Sequence, residues 1–419
     1  MSQNFERAKK IVQRLKRAGH EAYFAGGCVR DHLLDIEPKD YDIATSAKPD
    51  EVEAMFSNTI GVGKQFGVII VCSGGANFDV ATFRADGNYG DGRHPDAITF
   101  SSAKEDVLRR DFTINGLLME PETMEIVDHV GGRADLAAGV IRTIGVPAER
   151  FSEDHLRILR AVRFSCRLGF KIDPETAASM KHLADRAATP SAERIFGELD
   201  RTLRERAPYQ GLKILNELGL LRVVLPEVAE VWDHPVDLRF CPDGKGSESV
   251  GERKLSIFSK LAGPLDSGLV WALLLTDLVP ESARSQGQFA GRVVKRLRAS
   301  SALIKNVEFL VTNRDRFLFA CRVSMARKKL IAAHPNLGLV GQFVAAENQV
   351  VNRESSIARS FALEPTALPQ PLLNGKELMD LGIPKGKMLG RVIRKLKFLQ
   401  LNGALLNSTD ACEWAKQQS

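Results

Sequence analysis

The chain has 419 residues, 44% of them hydrophobic and 26% charged, with a formal net charge of +6. Such a length fills several cores and excludes a disordered or collagenous chain, and the positive balance favours a polyanionic partner, although basic residues spread over a solvated surface give the same total. Six cysteines (Cys28, Cys72, Cys166, Cys241, Cys321, Cys412) form no C-x-x-C pair, and the most apolar run, Leu269 to Leu275, falls far short of the roughly 20 residues that span a bilayer. Neither a zinc site, a disulfide framework nor a membrane anchor is indicated, and with no apolar signal core near the start, a cytoplasmic protein is expected.

Apolar residues at Phe5, Ala8, Ile11, Val12 and Leu15 recur at the spacing of an amphipathic helix over 4–18, and a strand-like AYFAGG follows. Short apolar runs, GVIIV at 67–71 and FDVATF at 78–83, read as strands broken by glycine-rich turns. The polar, glycine-rich stretch 85–100 suits a mobile loop or an inert one, and RRDFTINGLL at 109–118 reads as a helix capped by Asp111. IRTIGVP at 141–147 is extended, helical spacing dominates from Ser152 onward, and 234–254 is an unpatterned surface loop. These elements predict an α+β protein, a small α/β head followed by a helical remainder.

Chemistry concentrates in the head. GGCVRD at 26–31 puts Gly26 and Gly27 at a strand end, where the backbone can approach a phosphate closely, and offers Arg30 to a triphosphate oxygen; many glycine pairs simply turn. In KDYDIAT, Asp40 and Asp42 project to one side of an extended segment, so together they need a cation, and oxygen-preferring Mg²⁺ is the natural one. Asp79, between apolar neighbours in FDVATF, is a candidate third carboxylate. Two Mg²⁺ ions on this cluster would activate a 3′-hydroxyl and stabilise departing pyrophosphate; the bland alternative is a solvated acidic turn.

SEDHLRILRAVRF at 152–164 sets Asp154 and Arg157 three residues apart on one helical face. Cytosine and adenine both present an amino donor beside a ring-nitrogen acceptor, whereas uracil and guanine reverse that order. An acceptor beside a donor therefore selects CTP and ATP without a template, while a plain surface ion pair would have the same sequence. Arg160, Arg163 and Arg167 continue a basic stripe able to meet triphosphate or RNA backbone, opposite an apolar side that includes Phe164.

In this order, GGCVRD, KDYDIAT, RRDFTING, IRTIGVPAERFSEDHLRILRAVRF and SAERIFGEL resemble the bacterial class II tRNA nucleotidyltransferase and poly(A) polymerase family over roughly residues 20–205. The resemblance implies a polymerase-beta-like head over 1–140, a helical neck over 141–205, a helical body over 206–330 and a helical tail over 331–419, which hold the acceptor arm of tRNA at its 3′ end. It implies Asp40 and Asp42 as metal ligands for Mg²⁺, with Asp79 a weaker match, and Gly27 and Arg30 as triphosphate contacts. Arg110 then contacts the ribose, Asp154 and Arg157 read the base, and Arg160 and Arg163 meet the incoming nucleotide. Asp86, Tyr89 and Arg93 match the loop that the family couples to the switch towards ATP. Gly116 replaces the usual alanine, which is expected to loosen a helix slightly. Addition of CMP and AMP to give CCA is the activity the resemblance implies, with A-only addition or poly(A) synthesis as alternatives within the family and a catalytically silent tRNA-binding protein as the alternative of another class. No HD dipeptide supports a phosphohydrolase, and no protein partner is inferable.

Overall fold

A computed structural model of the chain describes residues 2–86, 98–236, 248–261, 263–278, 283–318, 324–351 and 367–418. The chain divides into two compact units, Met1–Glu230 and Val231–Ser419. The first contains the sheet and every candidate site residue described.

The first unit opens with helix α1 (Gln3–Arg17), whose start is capped by the Ser2 hydroxyl accepting from the Phe5 N–H at 3.3 Å. Then come β1 (Ala22–Ala25), α2 (Gly27–Leu33), β2 (Ile43–Thr45), α3 (Pro49–Met55), β3 (Thr59–Ile60), β4 (Val68–Ser73) and β5 (Ala76–Thr82). A small hairpin pairs β6 (Arg84–Asp86) with β7 (Ile98–Phe100), and α4 (Ala103–Leu108), β8 (Leu117–Met119), β9 (Ile126–Asp128), α5 (Gly132–Ala138) and β10 (Val140–Ile141) complete the sheet-bearing part. The main sheet runs β3-β4-β5-β2-β1-β8-β9; β2 and β5 are parallel and every other neighbouring pair is antiparallel.

Alternation along the strands divides the apolar residues between the two faces. Phe24, Ile43, Phe78 and Val80 join Phe5, Ile11 and Leu15 of α1 in the main core, whereas Ala25, Ala44 and Leu118 pack with Phe83 and Val107 in a second cluster. The expected helix over 109–118 is not formed. After α4 the chain turns, makes a short 3₁₀ turn at Thr113–Asn115 and enters β8, because Leu117, Leu118 and Met119 are all buried and pair with β1 and β9. Gly116 therefore loosens no helix; a Cβ there would stand 2.8 Å from Val130 Cγ2 and 3.0 Å from Ile144 Cδ1.

Helices α6 (Pro147–Glu153), α7 (Leu156–Leu168), α8 (Pro174–His182), α9 (Ala192–Arg204), α10 (Pro208–Glu217), α11 (Leu221–Val224) and α12 (Pro226–Ala229) follow, with a two-residue strand β11 (Lys171–Ile172) parallel to β10. The single helix expected from Ser152 is two helices, broken at Asp154 and His155. α7 and α10 meet closely at Gly211, where a Cβ would lie 2.7 Å from Cys166 Sγ and 2.5 Å from Thr202 Cγ2 of α9.

The second unit contains α13 (Val250–Ser259), α14 (Ser267–Leu275), α15 (Ala283–Arg296), α16 (Ser301–Leu318), α17 (Met325–Ala332), α18 (Leu337–Val351), α19 (Gly375–Asp380), α20 (Lys387–Leu401) and α21 (Ser408–Lys416). The loop expected over 234–254 ends early, since Ser249 caps α13 by accepting from the Glu252 N–H at 3.1 Å. Its interior holds charge: Arg253 and Arg314 each donate to Glu347 Oε2 at 2.9 Å, so the buried carboxylate is doubly neutralised. Among the described residues no helix is long and apolar enough to cross a membrane.

Gly211→Ala is expected to cost about 1–3 kcal/mol through overpacking of the α7–α9–α10 contact. Thermal unfolding should show a lower melting temperature; an unchanged value would mean that these helices yield freely.

Candidate functional site

The residues singled out from the sequence converge on one cleft of about 600 Å³, a volume suited to a nucleotide-sized ligand. Its lining includes Gly26, Gly27, Arg30, Asp40, Asp42, Arg110, Asp154, Arg157, Arg160 and Arg163, along with Arg109, Asp111, Asn115, Phe164, Arg167, Arg194 and Arg201. Of the loop residues, Asp86 ends β6, while Tyr89 and Arg93 lie outside the described residues.

Asp40 and Asp42 lie just before β2, with Tyr41 buried between them and both carboxyl-bearing residues exposed on the other side. Because Ile43 pairs with Val80, one residue back along these parallel strands sets Asp42 beside Asp79. Dehydration at the floor of the cleft, then repulsion from Asp79, pushes the Asp42 carboxyl up to about 6 despite the nearby Arg110, with Asp40 adding to the rise. Asp79 is raised too, by dehydration and by Asp40. Asp79 does not line the cleft itself. Among the described residues no three His, Cys, Asp or Glu side chains are gathered closely enough to hold a metal ion alone.

Gly26 ends β1 with φ +72°, in the left-handed region, and a Cβ there would stand 2.8 Å from Arg110 Nη1. Glycine is required on both counts, and its absence of a side chain lets the Arg110 guanidinium reach the strand end. Asp106 holds that guanidinium, accepting from Nη2 at 3.0 Å, and holds Arg109 at 2.7 Å. Arg30 is only 2% exposed and is committed to protein partners: Asp31 at 2.6 Å and Asn115 Oδ1 at 2.5 Å. It shapes the cleft wall from behind.

Asp111 caps no helix. It accepts from its neighbour's Phe112 N–H at 2.9 Å, from Asn115 Nδ2 at 3.0 Å and from Arg160 Nε at 2.9 Å. Burial alone would raise its carboxyl, but Arg160 and the Asn115 hydrogen bond outweigh that and hold it down at about 2. Glu198 of α9 binds Arg163 at 2.6 Å and lies 3.7 Å from Arg160 and 3.6 Å from Arg201. Arg167 reaches back to Asp31 at 2.7 Å. The basic stripe on α7 is thus an anchored network rather than a free face.

Asp154 sits in the break between α6 and α7 with extended backbone, φ −147° and ψ 101°. It does not pair with Arg157. One oxygen accepts from the Leu156 N–H at 3.0 Å and the other from Arg194 Nη2 at 2.7 Å. Arg157 donates through Nη1 to Glu153 at 2.5 Å and to the Arg150 carbonyl at 3.0 Å, and through Nη2 to the Arg109 carbonyl at 3.2 Å. Asp154 keeps lone pairs and Arg157 keeps an Nη2–H and its Nε–H, so each retains hydrogen-bonding capacity while being held in place. Had the helix been continuous, each would have satisfied the other.

Sequence reasoning missed Arg194, Glu198 and Arg201, although their steps of four and three mark one face of α9. It also missed Glu153, which holds Arg157 at 2.5 Å and which no periodic signal distinguishes from ordinary polar residues.

Residues 22–142 match the family model described as the poly A polymerase head domain, and residues 169–231 match that described as a probable RNA and SrmB-binding site of polymerase A. The chain is 32% identical to the CCA-adding enzyme of Levilactobacillus brevis over 413 residues, covering 98% of this chain and 97% of that one. The Bacillus velezensis CCA-adding enzyme is also 32% identical, over 419 residues, with 99% and 98% covered. Among solved structures, the Bacillus stearothermophilus CCA-adding enzyme in complex with CTP aligns with a TM-score of 0.72 and 27% identity, covering 100% of this chain and 98% of that one. The Thermotoga maritima CCA-adding enzyme complexed with tRNA shares the fold, with a TM-score of 0.55 and 20% identity over 98% and 94% of the two chains.

Asp111→Asn is expected to cost about 2 kcal/mol at neutral pH, the equivalent of its depressed proton affinity. A depressed carboxylate stabilises the fold above its unfolded value near 3.8 and loses that contribution as pH falls towards 2, so denaturation midpoints of variant and parent should converge on acidification. A gap independent of pH would show that the Asp111–Arg160 pair contributes no charge-dependent stability.

Proposed function

The chain belongs to the tRNA nucleotidyltransferase and poly(A) polymerase family, and on that premise we propose that it adds CMP and AMP from CTP and ATP to the 3′ end of tRNA without a template. The observation carrying this reading is that a single cleft is lined both by Asp40 and Asp42 and by Asp154 and Arg157. A site for charge neutralisation and a site with base-selective hydrogen-bonding capacity therefore open onto the same space.

The carboxylates suit a divalent cation. Asp79 and Asp40 raise the proton affinity of Asp42, and Asp40 raises that of Asp79, a repulsion that a bound cation relieves. Mg²⁺ commonly takes one or two carboxylates and leaves its other positions to phosphate and water, a demand that Asp40 and Asp42 can meet. Asp40 and Asp42 would hold it, with Asp79 alongside. When bound, Mg²⁺ would supply the Lewis acidity that activates a 3′-hydroxyl and stabilises pyrophosphate. Arg110, which follows α4 and brings its guanidinium beside Gly26, would meet ribose or phosphate oxygens. The free oxygen lone pairs of Asp154 accept the amino group of cytosine or adenine, and Arg157 donates to the adjoining ring nitrogen. Uracil and guanine would set acceptor against acceptor and donor against donor, leaving polar atoms unpaired.

The RNA is served by charge. On and just before α20, Lys385, Lys387, Arg391, Arg394 and Lys395 are exposed, while Val392 and Leu396 are buried, so the outward face suits RNA phosphates. The division into head, neck, body and tail at 140, 205 and 330 belongs to the same proposal. Tyr89 and Arg93, with Asp86, would bias the switch from CTP to ATP.

Purified protein with Mg²⁺ should extend tRNA transcripts lacking CCA, CA or A, using CTP and ATP in the matching order. Extension only of the transcript lacking A would reduce the activity to A addition, and untemplated A runs on all three would indicate poly(A) synthesis. Asp42→Asn should abolish extension while retaining tRNA binding. Because partial dehydration in the cleft and repulsion from Asp79 raise the Asp42 carboxyl, its ionisation destabilises the metal-free fold as pH rises from about 4 to about 6. The variant should therefore melt higher than the parent at pH 8 and equally at pH 4, with Mg²⁺ narrowing the gap at pH 8. Equal melting at both pH values without metal would remove the argument for cation binding there.

A further inference from the structure

Phe164 lies on α7 at the cleft wall, 4% exposed. From the sequence it belongs to the apolar side of the helix. Yet three guanidinium groups gather on its ring: Arg163 at 4.2 Å, Arg30 at 5.2 Å and Arg160 at 5.4 Å from the centroid. Close cation–ring contacts occur roughly once per 70–80 residues, so three on one ring in one cleft is a marked concentration. The ring is itself fixed by an edge-on contact with Phe112, 5.7 Å between centroids and 77° between planes.

The three cations come from two elements, Arg30 from α2 and the other two from α7. Each has a polar partner at its N–H edge: Asp31 and Asn115 for Arg30, Asp111 for Arg160 and Glu198 for Arg163. Those carboxylates draw on the same N–H groups that an incoming phosphate would use. The ring attracts a guanidinium electrostatically without accepting a conventional N–H hydrogen bond, so it restrains the cation while sparing donors for an anion. It also lessens the mutual repulsion of three like charges crowded within a few ångströms of one another's anchoring point.

We propose that Phe164 is a positioning residue for the triphosphate of the incoming nucleotide, acting through Arg160 and Arg163, with Arg30 as the buried back support. Since the triphosphate is common to ATP and CTP, Phe164 sets affinity for both equally and takes no part in choosing the base. This inference rests on the nucleotidyl-transfer reading above.

The test replaces Phe164 with mono-, di- and trifluorinated phenylalanine, which keep its shape while draining the negative charge from the ring face. The KM for ATP and for CTP should rise together and stepwise, by about three- to tenfold at the trifluoro residue, with kcat, the preference over UTP and GTP, and the melting temperature nearly unchanged. Phe164→Leu should raise both KM values at least as much and also lower the melting temperature. A flat KM across the fluorinated series would overturn the inference and leave Phe164 as core filling, as would a rise for one nucleotide alone. The unmodified protein in the same assay separates the two levels: if it extends no tRNA, the nucleotidyl-transfer reading fails; if it does and the series is flat, only the role of Phe164 fails.

Discussion

The site depends on a constraint of charge: nine arginines line one cleft with four aspartates, and the fold must hold those cations still without neutralising all of them. The ion pair between Asp111 and Arg160 is where this is resolved. Asp111 lies between α4 and β8, and Arg160 stands on α7, so the pair ties the helix that follows Asp154 to the segment leading into the sheet. The second oxygen-rich anchor, Glu198, ties Arg160 and Arg163 to α9. With those contacts in place the cleft keeps an excess of positive charge on one wall and the raised Asp42 carboxyl on its floor, a complement to a triphosphate chelating a cation.

Much of this was legible in the sequence because it rests on period and on local chemistry. The alternation through Asp40, Tyr41 and Asp42 survives in the structure: the tyrosine is buried and the aspartates are exposed. Likewise Phe78 and Val80 enter the core while Asp79 faces away. Gly26 at the strand end is explained by its positive φ and by the closeness of Arg110. What the sequence concealed were features set by partners far along the chain. RRDFTINGLL has helical composition, but Leu117 to Met119 are claimed by pairing with β1 and β9, and tertiary burial overrides local propensity. The break after Glu153 is similar: nothing in SEDHLRIL forbids a helix, yet Arg194, forty residues on, takes Asp154 and the turn opens.

That break has a chemical consequence. An acid and a base three residues apart on an unbroken helix satisfy each other, and a satisfied pair is blind to a nucleobase. Separate anchoring, Asp154 by Arg194 and Arg157 by Glu153, holds both groups while leaving each with capacity to spare. On the proposed reading, selection among four nucleotides would need no template strand, because Asp154 and Arg157 would offer the complementary edge and a wrong base would leave donors and acceptors unpaired.

The most direct measurement of that claim is the ratio of kcat/KM for CTP and ATP to that for UTP and GTP in Arg157→Ala, assayed on tRNA lacking its terminal nucleotides. The account predicts that the ratio collapses towards unity while binding of inorganic triphosphate is little changed. A variant that loses activity evenly with all four nucleotides and keeps its preference would contradict it.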